Sequence, residues 1–353
     1  MKINLKIYWK IVLIGLVIIC VGCSGLENKP EDVKQAELKQ MFDQSITLAE
    51  NGEKVSQYRI GVMYFDGMGI VQNRQKGLEW MQKSADQGYA MAQFQLGRIY
   101  ETGEGVKPDL DRARKLYLEA ANQGHGEAAM ALGLIYLTAN GVEQDDKQAL
   151  EWFSRAAESG IEAASYNMGM LYETGPEDLR NLEKALQSFT KSAEAGNVQA
   201  QFKVGEFYTK GLGTQADHAR AVEWLTKAAE NGHVEAQWFL GIMYEKGRGV
   251  AKNSVRSVYW YTRAARQGHP AAQFNLAMLY ENGDSQNPKD TLKAYVWYRL
   301  CAPYMQYAHK DYVDKQTRKL EESMSSNDLK KAEEEIRAFR PKVEEMPVEV
   351  TTK

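Results

Sequence analysis

Residues 236–249 read AQWFLGIMYEKGRG. Gly241 stands in the middle of a helical pattern, where glycine costs about 1 kcal/mol relative to alanine. The phrase around it recurs: YRIGVMY from Tyr58, FQLGRIY from Phe94, MALGLIY from Met130, YNMGMLY from Tyr166, FKVGEFY from Phe202, WFLGIMY from Trp238 and FNLAMLY from Phe274. Each copy begins 36 residues after the last, and the tyrosines from Tyr64 to Tyr280 and the glycines from Gly52 to Gly268 keep the same step. A fixed period of this length is the mark of a repeat array. Seven units run over residues 53–304.

Each unit carries two helical patterns of about 13 residues separated by a turn, GxG in several copies, such as Gly247 and Gly249. A glycine there ends the first helix, and the closing glycine, such as Gly232, ends the second. The turns follow helices rather than strands and lack a Lys-Ser/Thr partner, so they are not phosphate-cradling loops. The columns resemble the Sel1-like repeat family, a branch of the TPR-type helical solenoids, through Ala236, Leu240, Gly241, Tyr244, Gly247, Gly249, Val250, Trp260, Ala264, Ala265 and Gly268. The resemblance implies an all-α, right-handed solenoid of helix-turn-helix repeats. The loops ETGPEDLRN in the fourth unit and ENGDSQNPKD in the seventh depart from the pattern, as does Ala277, which replaces the column glycine. Residues 31–52 read as an N-terminal capping helix, and residues 305–340 as C-terminal capping helices that cover the apolar end of the stack. Residues 341–353 carry prolines and many charges and read as a disordered tail.

The first helix of each unit holds small or apolar residues over a broad arc, and one stripe varies freely. One of its columns contains Arg59, Gln95, Asn167, Lys203, Phe239 and Asn275, with Ala131 at the third unit. Another contains Arg98, Leu134, Met170, Glu206, Ile242 and Met278, with Val62 at the first. In helical solenoids first helices line the concave surface, so this stripe is expected to be an exposed groove for a protein partner. Its apolar members are expected anchors, because contiguous exposed apolar area marks binding sites.

The N-terminus differs in kind. A basic stretch, residues 1–10, precedes the apolar run IVLIGLVIICVG, which is signal-peptide length and too short for an ordinary span of about 20 residues. Gly22 and Cys23 resemble a bacterial lipobox, although Cys20 stands where that family usually has leucine. The resemblance implies a signal peptide over 1–22, lipidation of Cys23, a tether over 23–30, and, with Ser24 following, an outer-membrane lipoprotein facing the periplasm. The mature chain then holds Cys301 as its single thiol, so no internal disulfide supports the fold.

The formal charge is −3, and −6 without the three lysines before Cys23, which gives no basic face for nucleic acid. His125, His233 and His269 share one column and lie whole periods apart, so they read as turn residues rather than ligands of one metal. No H-E-x-x-H, C-x-x-C or G-x-S-x-G occurs, and no cofactor or metal is expected. The function expected is a lipid-anchored, non-catalytic scaffold or adaptor binding a protein through its concave groove. Similar lipoproteins imply two narrower roles: an immunity protein sequestering a periplasm-acting toxin such as a lipase effector, or a scaffold for envelope or exopolysaccharide-export assembly. A cell-envelope hydrolase ranks behind these.

Overall fold

A computed structural model of the protein describes residues 30–342. The signal segment 1–22, Cys23, the tether up to 29 and the tail from 343 onward lie outside the described residues. Among the described residues there are helices and turns but no strand, and no helix long and apolar enough to cross a membrane. They fall into two compact units that divide between Ala164 and Ser165.

The first unit opens with α1 (Glu31–Glu50). Three helix pairs follow: α2 (Lys54–Asp66) with α3 (Arg74–Asp86), α4 (Ala90–Thr102) with α5 (Leu110–Asn122), and α6 (Gly126–Thr138) with α7 (Asp146–Glu158). The division falls inside α8 (Glu162–Thr174). The second unit continues with α9 (Leu182–Glu194), then α10 (Val198–Lys210) with α11 (His218–Glu230), α12 (Val234–Lys246) with α13 (Ser254–Arg266), and α14 (Pro270–Asn282) with α15 (Thr291–Cys301). A 3-10 turn (Ala302–Tyr304) leads to α16 (Tyr307–Ser323) and α17 (Ser326–Ala338).

Local chemistry sets these boundaries. An aspartate or asparagine caps every second helix, from Asn73 and Asp109 to Asn253 and Asp290, its side chain accepting a backbone N–H of the first turn. Each capping residue also donates its own N–H to the carbonyl of the column tyrosine, as Asn253 does to Tyr244 at 2.9 Å and Asp290 to Tyr280 at 2.9 Å. The irregular fourth loop closes the same way, Asn181 to Tyr172 at 2.8 Å. Gly247 ends α12 at φ 67°, the left-handed region that glycine enters without a Cβ penalty. Ala139 takes that position after α6 at φ 56°.

The core is built on the second-helix rings Tyr117 and Phe153 in the first unit and Phe189, Tyr261 and Tyr298 in the second, all fully buried. Each of the first four lies against the column glycine of its own repeat. A Cβ on Gly97 would come 2.7 Å from the Tyr117 ring, and one on Gly241 would come 2.3 Å from Tyr261. These four glycines therefore admit a ring, whereas Gly61 and Gly205 admit Met81 and Leu225. Ala277 replaces the glycine in the repeat whose loop carries an extra residue.

Buried glutamines tie successive repeats. Gln57 and Gln93 in the first unit, and Gln201, Gln237 and Gln273 in the second, donate to the carbonyl of an alanine ending the preceding second helix, at 3.1–3.3 Å. This satisfies carbonyls that a helix end leaves open. At the C-terminal end α17 packs on α15: Arg299 meets Glu333 at 2.9 Å, and Leu329 and Ile336 join the cluster of Tyr295, Val296 and Tyr298.

Candidate functional site

In the second unit α12 and α14 touch directly and enclose a pocket of about 300 Å³. Ile242, Met278 and Leu279 form its apolar floor. Asn275, Asn282, Glu245 and Lys246 form its polar rim. These residues share one side because they follow i, i+3, i+4 and i+7 spacing on two helices set one repeat apart.

The rim is held from behind. Tyr261 on α13 donates its hydroxyl to Glu245 Oε2 at 2.8 Å and accepts from Asn275 Nδ2 at 2.9 Å. Burial, and then the Glu245 carboxylate, push the Tyr261 phenol well above its ordinary range, so it remains a donor. Lys246 pairs with the other Glu245 oxygen. One carboxylate, one ammonium and two amides can hold hydrogen-bonding groups beside an apolar anchor. Among the described residues no three ligating side chains converge on a metal position.

The expectation of an exposed stripe is corrected. None of its twelve named residues is fully exposed, and Arg98 (5% exposed), Leu134 (3%) and Asn167 (9%) are buried. The cause is packing between successive repeats. Arg59 donates to Ser45 of α1 at 3.3 Å, and Gln95 accepts from Arg98 at 3.4 Å. Lys203 lies over the Phe189 ring and pairs with Glu173 at 2.9 Å and Glu206 at 3.4 Å. Burial opposes its charge, but these carboxylates outweigh it and raise its pKa. Burial likewise opposes the Glu206 charge, which Lys210 and Lys203 stabilise enough to lower its pKa. Met170 packs in the Phe189 cluster, and Phe239 meets Phe202 and Trp238 edge-on. Ile242, Asn275 and Met278 are thus the three expected residues that the fold brings together in the pocket.

Glu245, Lys246, Leu279 and Asn282 were not among the expected residues. A signal for Glu245 lies in paired columns. The three copies with a buried tyrosine, Tyr117, Tyr261 and Tyr298, supply Glu101, Glu245 and Glu281 as its acceptor at 2.7–2.8 Å. Phe153 and Leu225 stand with Leu137 and Thr209, and Phe189 with Glu173, which turns to Lys203 instead.

The column histidines are structural. His125, His233 and His269 each cap a first helix through Nδ1, accepting from Ala128, Ala236 and Ala272 at 3.1–3.3 Å. Each ring also lies against an aromatic of the preceding repeat: His125 on Phe94, His233 on Phe202 and His269 on Trp238. Burial lowers all three pKa values, which neighbouring Glu127 and Glu235 partly offset.

The Sel1 repeat profile matches seven consecutive segments, 54–89, 90–125, 126–161, 162–197, 198–233, 234–269 and 270–302. The chain belongs to the Sel1-repeat family. Its fold class is therefore the α-solenoid of that family, whose repeats serve as protein-interaction scaffolds. No curated protein matches the chain. Among solved structures, c5321, a protective antigen of uropathogenic Escherichia coli with the Sel1-like repeat fold, is 31% identical over 85% of this chain, with TM-score 0.66. The match spans 64% of that protein's length. A Sel1 repeat protein from Oxalobacter formigenes is 28% identical over 83% of this chain and 89% of its own, with TM-score 0.62. The immunity protein Pa5087 from Pseudomonas aeruginosa is 21% identical over 65% of this chain and 81% of its own, with TM-score 0.32, a likeness too low to inform function.

Proposed function

We propose that this Sel1-repeat protein is a non-catalytic adaptor, anchored by a lipid on Cys23 to the periplasmic face of the outer membrane. It takes an apolar anchor residue of a protein partner into the pocket between α12 and α14. The observation that carries this reading is the apolar lining of Ile242, Met278 and Leu279 beside Glu245 and Asn275, which Tyr261 holds in place. Interfaces draw most of their affinity from a few apolar or aromatic anchors in such pockets. The basic stretch and apolar run ahead of Cys23 support the anchor.

The test compares the wild-type protein with Ile242→Asp/Met278→Asp, each captured from its native envelope after crosslinking. Partners present with the wild type and lost from the variant, at unchanged helicity, support the pocket. An identical partner set refutes it. Mass spectrometry of the mature N-terminus tests the anchor separately, and an unmodified Cys23 refutes that part alone.

A further inference from the structure

Both helices that line the pocket, α12 and α14, begin at a histidine. His233 Nδ1 accepts the Ala236 N–H at 3.3 Å, and His269 Nδ1 accepts the Ala272 N–H at 3.1 Å. A first-turn N–H has no carbonyl acceptor within its own helix, so the imidazole is what satisfies it. Nδ1 can accept only in the neutral ring. In His233 the proton therefore sits on Nε2, which donates to Gln199 Oε1 at 3.1 Å. Protonation turns Nδ1 into a donor facing another donor, and the cap is lost.

The two caps are tied to each other and to the pocket. Gln267, two residues before His269, donates to the carbonyl of Gly232, just before His233, at 3.1 Å, and to Gln237 Oε1 at 2.9 Å. The His269 ring lies against Trp238, with centroids 5.1 Å apart. Trp238 and Val234 share one core cluster with Ala272 and with Ile242 and Leu279 of the pocket. Among the charges around the rings, Glu235 acts on both, its Oε2 lying 3.6 Å from His233 Nδ1. From α10, His233 meets the neutral Gln199 and Phe202. Glu230 and Arg266, three residues before the two rings, are exposed, so water screens them. Burial outweighs the pull of Glu235 and lowers both pKa values, so a proton is taken up preferentially when a cap opens.

We propose that His233 and His269 form an acid-released latch on the pocket, holding the starts of α12 and α14 at neutral pH and freeing them when a proton reaches Nδ1. The hold is complete above about pH 6.5, the ordinary histidine value, and weakens as pH falls below it. The latch regulates the pocket assigned above and takes its consequence from that reading, while its test needs no partner. The fold supplies a control. Asn197 stands one period before His233 and caps α10 with a side-chain oxygen that does not titrate in this range, accepting the Ala200 N–H at 2.9 Å.

The test follows amide hydrogen exchange of the purified full chain between pH 7.5 and 5.0, corrected for the intrinsic pH dependence of exchange. Opening at Ala236 and Ala272 is expected to rise at least fivefold on acidification, within the ceiling of about thirtyfold that an ordinary histidine allows at pH 5. Opening at Ala200 is expected to change less than twofold. The methyl carbon signal of Met278 in the pocket is expected to move over the same pH range. His233→Asn/His269→Asn, which copies the Asn197 cap, is expected to abolish both responses. An equal acid response at Ala200, protection at Ala236 and Ala272 that ignores pH, a fixed Met278 signal, or a response that survives in the double variant overturns the proposal. A pocket that captures no partner leaves these readings unchanged and refutes the binding role alone.

Discussion

Gly241→Ala separates helix propensity from packing, because the two predict opposite signs. Propensity alone stabilises the variant by about 1 kcal/mol. The structure places the new Cβ 2.3, 2.4 and 2.8 Å from Cδ1, Cε1 and Cγ of Tyr261, where ordinary contact begins near 3.4 Å. The ring must therefore retreat by about 1 Å. It is fully buried, and its hydroxyl is held by Glu245 and Asn275, so retreat also breaks hydrogen bonds. Overpacking of this kind costs about 1–3 kcal/mol, and the severe overlap puts it at the upper end. The net expectation is a loss of about 1–2 kcal/mol after the propensity gain. Repeat arrays need not unfold as one body, so the readout is native-state hydrogen exchange of α12 amides together with urea melts. In a Tyr261→Ala background the same change is expected to stabilise by about 1 kcal/mol, the intrinsic preference for alanine. A stabilising Gly241→Ala in the wild-type background, or the same effect in both backgrounds, refutes ring exclusion as the reason for the glycine column.

The histidine caps predict acid sensitivity. Burial holds the folded pKa of His125, His233 and His269 below the unfolded value near 6.5, so the unfolded chain binds more protons. Stability from these groups is complete above that value and is lost as pH falls through and below it; His233→Asn/His269→Asn keeps a capping acceptor, as Asn197 does, and is expected to flatten the urea midpoint's pH profile between 7 and 5. Tyr261→Phe removes the hydroxyl partner of Glu245 Oε2 and Asn275 Nδ2 and is expected to cost about 1–2 kcal/mol in urea melts, and adding Glu245→Leu, which copies the Phe153–Leu137 pairing, is expected to recover much of it. Ala139→Gly relieves a left-handed alanine at φ 56° and is expected to raise thermal stability by about 0.5–1 kcal/mol. Lys203→Met leaves Glu173 and Glu206 half-buried without their shared cation and is expected to destabilise the second unit by about 1–3 kcal/mol, as read by urea melts.

The helix pairs were legible because period and turn chemistry are local. Gly247, the column tyrosines and the 36-residue step mark where each helix starts and stops without reference to any partner. The histidines likewise read as turn residues, although their stacking on Phe94, Phe202 and Trp238 involves residues 31 positions away. The stripe misled for the same reason that the helices were easy. Variation along a column shows that the repeat does not dictate a residue there, not that water reaches it. Lys203 is held by Phe189, Glu173 and Glu206, and Asn275 by Tyr261, contacts particular to their own repeats.

The sequence by itself determined the repeat and its helix boundaries, since both follow from backbone geometry within one repeat, and it marked Gly241 as a place for a small residue, which the Tyr261 ring of the same repeat enforces. Tertiary structure decided which variable positions are buried and which meet in a pocket. Leu134 became core, while Ile242 and Met278 came together, because burial depends on how closely successive first helices approach, a distance set by side chains from several repeats at once.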